Sequence, residues 1–204
     1  MGPLPRHGPF LNAFDCPTGE PEPDAIPEVA AALLSGEVIG VCNGAAEVGP
    51  RALGHRSLVA RADRVPIRRR LSEQIKRREW YRPVAPILCE AAAREVLEPD
   101  ARDSALSRWM LGAWQVQPAW RQALQGVVHT DGSVRAQVVR PDDGNTWMHA
   151  LLEQLWRDHG IPGLINTSFN GPGKPIVQRH ADALQQAGDL GLDGVVLHGS
   201  LHRP

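Results

Sequence analysis

Residues 37–60, EVIGVCNGAAEVGPRALGHRSLVA, decide how the chain is built. EVIGVC (37–42) reads as a buried strand, and SLVA (57–60) as a second one. Between them, EVGPRALGHRS (47–57) sets Gly-Pro-Arg and Gly-His-Arg within eight residues. Gly49 and Gly54 loosen the backbone, Pro50 stiffens it, and Arg51 and Arg56 leave the same short turn. A planar guanidinium fork suits a phosphate. Alone, the loop reads equally well as a tight turn whose arginines pair with surface carboxylates. It is not a nucleotide-binding P-loop, because GxxxxGK[ST] occurs nowhere.

Outward from this loop, strands and helices alternate. PEVAAALLSG opens on Pro27 and stops at Gly36, as a helix does. PIRRRLSEQIKRR (66–78) spaces Ile67, Leu71 and Ile75 four apart, a narrow helical stripe. RPVAPILCE reads as a strand bent at its prolines, and EAAAREVLE as a helix. Residues 100–126 show no clean period. GVVHTDGSVRAQVV (126–139) predicts two strands around an Asp-Gly turn. TWMHALLEQLWRDHG (146–160) predicts a helix, GLINTSFN a buried strand running into a polar loop, ADALQQAGD a short helix and GVVLHG a last strand. The class is α/β with a mixed sheet. Residues 1–26 read as an extended arm or linker, and 27–204 as one domain.

Composition narrows the function. The net charge of −1 argues against a generally basic nucleic-acid coat, yet eleven of the 22 Lys and Arg lie between Arg51 and Arg82. Only Asp63, Glu73 and Glu79 oppose them there. Such a focused field attracts a compact anion or a phosphate backbone. Three cysteines form no CxxC pair; Cys42 and Cys89 sit in apolar runs and read as free buried thiols. With no signal-peptide pattern or spanning apolar stretch, a cytoplasmic protein with no membrane partner is expected.

Four segments offer candidate chemistry. Lys76, Arg77 and Arg78 close a helix, where cations complement the macrodipole whether or not they do more. Arg82 is held extended by Pro83 at a strand mouth, where ligands of α/β sheets sit. Arg135 and Gln137 make a polar stripe in an apolar strand. His129 with Asp131 reads as an acid/base pair or, more commonly, as turn residues. Asn166, Thr167, Ser168 and Asn170 would orient a small polar group, or satisfy their own turn. No HExxH or Cys/His cluster suggests a metal site.

Taken in order, EVGPRALGHRS, IKRREWYRPVAP, VVHTDGSVRAQVV and LINTSFNGPGKPIV resemble the C-terminal YrdC-like domain of a family of O-carbamoyltransferases. These enzymes decorate nodulation factors, cephalosporins and tobramycin. The resemblance implies a YrdC-like twisted mixed sheet flanked by helices. It implies ATP-dependent activation of carbamoyl phosphate to carbamoyl-adenylate, with Mg2+ accompanying the nucleotide. Lys76, Arg51 and Arg82 are then the expected catalytic groups. Arg51, Arg56, Lys76, Arg82, Arg135, Asn166, Ser168 and Asn170 are the expected binding residues. Two positions depart from the family pattern: Val48 stands where an aromatic is usual, and His55 where Asn is usual.

Full-length relatives in that family add an actin-like domain with metal-binding histidines, which passes the carbamoyl group to an acceptor hydroxyl. The expected partner is therefore a separate transferring subunit. A single-domain carbamoyltransferase acting on a small acceptor is an alternative. A non-catalytic nucleotide- or RNA-binding module is another. Against RNA stand one Tyr, three Phe and tryptophans that are not interleaved with the basic run.

Overall fold

The computed structural model describes residues 21–49 and 51–203, so most of the expected arm lies outside the described residues. The first helix, α1, spans Ile26–Ser35 with Pro27 in its first turn, and Gly36 ends it at φ 100°. Strands β1 (Ile39–Cys42) and β2 (Arg56–Arg61) follow, antiparallel, on either side of the arginine loop. The expected helix over 66–78 is shorter: α2 (Val65–Arg69) passes into a π-helical segment, Arg70–Ile75. There Lys76 N–H reaches back to the Leu71 carbonyl at 3.0 Å.

Next come β3 (Ala85–Cys89), α3 (Glu90–Val96), and the short helices α4 (Pro99–Asp103) and α5 (Ala105–Arg108). The anticipated hairpin over 126–139 does not form. Asp131–Gly132 does turn, but β5 (Ser133–Val134) pairs with β4 (Trp114–Gln115), whereas β6 (Gln137–Val139) joins β3 in parallel. Arg135 therefore sits in the step between two sheets. The rest is α6 (Thr146–His159), β7 (Leu164–Ser168), α7 (His180–Leu190), β8 (Gly194–Leu197) and β9 (Ser200–His202).

Seven strands form the main sheet in the order β6-β3-β7-β2-β1-β8-β9, mixed because β3–β6 and β1–β8 are parallel while the other pairs are antiparallel. Side chains alternate across it. Val41, Val59, Ile87, Leu164 and Val196 enter one core with α1 and α6. Cys42, Leu58, Leu88, Ile165 and Val195 enter the other, with Leu71, Ile75 and the apolar side of α7. Burial on both faces is why these strands read as continuous apolar runs. Among the described residues no helix is long and apolar enough to cross a membrane.

The register fixes one sheet edge. Cys42 is opposite Arg56, Ser57 opposite Ser168, and Asn166 opposite Ala85. The start of β2, the end of β7 and the starts of β3 and β6 thus share a rim, and every proposed ligand-binding segment arrives there.

Candidate functional site

The arginine loop is held from both ends. The Glu47 carboxylate accepts from the backbone N–H groups of Leu53 (2.6 Å), His55 (3.0 Å) and Arg56 (3.1 Å). From the sheet side, Asn166 Nδ2 donates to the Ala52 carbonyl at 3.0 Å. Gln137 and Asn145 both donate to that of Leu53, at 2.8 and 3.2 Å. Gly54, at φ 99°, leaves no room for a side chain, since a Cβ there would meet Asn145 at 2.6 Å. Arg51, in the same loop, is exposed.

At the rim lies a cavity of about 300 Å³. Arg51, Arg78, Arg82 and Arg135 line it, together with Met110 and the β7 residues Asn166, Thr167 and Ser168. Among the described residues no carboxylate lines it. Burial pulls the pKa of Arg78 down, and Arg82 and Arg135 pull it further. Arg135 is lowered by burial and by Arg51. Four guanidiniums thus share one small space. Two non-glycine residues with left-handed backbone belong to this site, Arg77 (φ 48°), just before Arg78, and Met110 (φ 57°). Such strain persists only where surrounding structure enforces it. After Arg77 the Arg78 N–H bonds back to the Ser72 carbonyl at 2.9 Å, so the helix closes as the chain turns toward the cavity.

Asn166 is 2% exposed, and its Nδ2 has two acceptors, the Ala52 carbonyl and Gln137 Oε1 at 2.8 Å. That fixes the amide's orientation and leaves Oδ1 without a protein partner.

Residues 30–203 match the family model described as Carbamoyltransferase C-terminus. The chain belongs to that family. It is 39% identical over 168 residues to Nodulation protein U of Rhizobium tropici, covering 82% of this chain and 28% of that protein. To the 3'-hydroxymethylcephem-O-carbamoyltransferase of Amycolatopsis lactamdurans it is 37% identical over 170 residues, 83% of this chain and 31% of the relative. The chain therefore spans under a third of the length of these relatives. A crystal structure of full-length HypF in the phosphate- and nucleotide-bound form shares the YrdC-like fold. Its TM-score is 0.58 at 19% identity, over 88% of this chain and 21% of that one.

In this carbamoyltransferase domain, Arg51, Arg82, Arg135, Asn166 and Ser168 meet at the cavity as the sequence suggests. Arg56 does not. It is 1% exposed, and its guanidinium donates to the carbonyls of Asn43, Gly44 and His55 at 2.9–3.0 Å. Buried at the start of β2, it ties the loop's two ends together. Lys76 and Asn170 also lie off the lining. Lys76 Nζ donates to the Ser168 and Asn170 carbonyls (both 2.7 Å) and to Asn170 Oδ1 (2.6 Å). The same Asn170 oxygen accepts from Ser168 Oγ at 2.6 Å. Burial, and then Arg78, lowers Lys76 to a pKa of about 7. His129 and Asp131 serve their own turn through Ser133, the commoner of the two readings. Arg78 is the cation that the sequence concealed, since nothing in the basic run separates it from its neighbours.

Proposed function

We propose that this domain converts carbamoyl phosphate and ATP into carbamoyl-adenylate, and that a second unit, in a separate subunit or elsewhere in a longer chain, passes the carbamoyl group to an acceptor. The observation that carries this reading is the convergence of Arg51, Arg78, Arg82 and Arg135 on a cavity that no carboxylate lines among the described residues. Two phosphorylated substrates repel one another, and bringing them together needs cations from several parts of a fold. Hydrogen bonds to charged groups contribute roughly 1.5–3 kcal/mol each, so four guanidiniums supply the right order. A cavity of about 300 Å³ favours a compact anion over a phosphate backbone, which would require an extended charged groove.

Water first cleaves carbamoyl phosphate to carbamate and phosphate. A carbamate oxygen then attacks the α-phosphorus of ATP; the bond to the bridging oxygen breaks, and pyrophosphate leaves with the electron pair. Charge grows on the leaving group, where fixed guanidiniums stabilise it better than reorienting water does. Asn166, held by the Ala52 carbonyl and Gln137, stands in the lining beside the position proposed for the carbamoyl group. Lys76 and Arg56 act as positioning residues, Lys76 by fixing Ser168 and Asn170, Arg56 by fixing the loop. The lining offers no carboxylate for Mg2+, and among the described residues no cluster of three His, Cys, Asp or Glu could hold a metal. The cation would be held by nucleotide oxygens and water. Cytoplasmic placement is part of the proposal, supported by the buried free thiol of Cys89.

The test is pyrophosphate release from ATP in the presence and absence of carbamoyl phosphate. Release that needs both substrates supports adenylate formation. Absence of release from intact protein with Mg2+, with the second unit supplied, rejects it.

A further inference from the structure

The cavity's cationic lining residues have exposed apolar neighbours along the chain. Between the lining residues Arg78 and Arg82 the chain makes a turn that carries Trp80 and Tyr81, 73% and 66% exposed. Their rings meet edge to face at 5.9 Å. Val48, Trp109 and Leu111, also exposed, lie within three residues of the lining residues Arg51 and Met110. Of the seven large apolar side chains exposed among the described residues, these are five. Scattered singly, such side chains need no explanation; five within three residues of one cavity's lining point to a binding surface.

A polyanion alone has no use for that surface. About 300 Å³ is at the low end for a ligand site and suits a phosphorylated group rather than a whole nucleotide. A ligand with phosphates on the guanidiniums must carry its remaining bulk over the mouth. The complementary molecule is a polyanion with a flat apolar end.

We infer that the Trp80–Tyr81 turn is the base subsite, where the purine of the nucleotide stacks while its phosphates reach Arg78, Arg82 and Arg135. This rests on the nucleotide reading above and adds to it the residues that select a nucleotide over a bare polyphosphate. The covalent spacing supports it. Arg78 and Arg82 flank the two aromatics directly, so one turn presents both a cationic and an aromatic surface. Both side chains are exposed, so replacing them leaves the core intact.

The experiment compares ATP with inorganic tripolyphosphate, which has the charge and no base, by calorimetry on the wild-type chain and on Trp80→Ala/Tyr81→Ala. The double variant is expected to bind ATP about ten-fold more weakly, the scale of one aromatic–base stack, and tripolyphosphate unchanged. ATP is also expected to quench tryptophan emission in the wild type, and to do so less in Trp80→Ala. Equal losses for both ligands, or no loss for ATP, overturn the base subsite while leaving the anion cavity standing. Failure of the wild type to bind either ligand overturns the nucleotide reading itself, and the subsite with it.

Discussion

Arg70 and Arg78 stand eight residues apart in one basic run, and the fold treats them in opposite ways. Arg70 grips both carboxylate oxygens of Asp193, at 2.5 and 3.0 Å, and that pairing pushes its pKa up. Arg61 is paired with Asp63 and Arg68 with Glu73. Arg78 and Arg135 have no such carboxylate among the described residues, and burial and neighbouring guanidiniums pull both pKa values down. Among the described residues only Arg82 in the cavity has a counter-charge, an exposed Glu79 at 3.6 Å. The scaffold neutralises its arginines; in the cavity, Arg78 and Arg135 have no carboxylate partner among the described residues. Cations held together without counter-ions cost stability, and a fold retains them where a ligand supplies the missing charge.

The two groups should fail in different ways. The largest expected effect is on the scaffold side. Arg56→Met removes the donor from three buried carbonyls and should cost about 4 kcal/mol of unfolding free energy, read by urea denaturation. A loss below about 1 kcal/mol would mean the loop holds itself and return Arg56 to the ligand-binding set.

On the cavity side the effect moves from stability to turnover. Arg135→Met should cut pyrophosphate release roughly hundred-fold, the equivalent of one strong charge-assisted contact. Its melting temperature should stay level or rise, because a desolvated cation leaves its like-charged neighbour Arg51. Arg70→Met should do the reverse, keeping activity and losing about 1 kcal/mol of stability. If Arg135→Met melts early and still turns over, the contrast between the two regions collapses.

This contrast explains how far the sequence could be read. The strands announced themselves because a sheet buried on both faces is built from apolar runs, and EVIGVC, SLVA and GLINTSFN are such runs. Arg51, Arg82 and Arg135 could be named because each interrupts a turn, a strand mouth or an apolar stretch. Arg78 could not, because what distinguishes it is the left-handed turn at Arg77, which no residue type signals. Arg56 misled for a related reason: a guanidinium on a glycine-rich loop looks the same whether it meets phosphate or the loop's own carbonyls. The 126–139 hairpin failed because local alternation fits either partner, and β4 and β3 each took one half. Residues 100–126 had no period to find. Their short elements are held by distant backbone bonds, such as Glu98 N–H to the Gln115 carbonyl at 3.1 Å.

Lys76 stands on the boundary between the two regions, and it gives the smallest and sharpest prediction. Its ammonium fixes the scaffold of Ser168 and Asn170, yet burial and Arg78 lower it to a pKa of about 7. A polyanion in the cavity adds negative charge near this group and favours its protonated form. Binding should therefore take up protons at and above neutral pH, and affinity should fall as pH rises through 7. With one group involved the fall is no steeper than about ten-fold per pH unit. Calorimetry of pyrophosphate at pH 8, in two buffers of different ionisation enthalpy, reads the uptake directly. The wild type should show a buffer-dependent enthalpy and Lys76→Met a smaller dependence. Equal enthalpies in both buffers for the wild type would mean that Lys76 keeps its charge state on binding, and so belongs wholly to the scaffold.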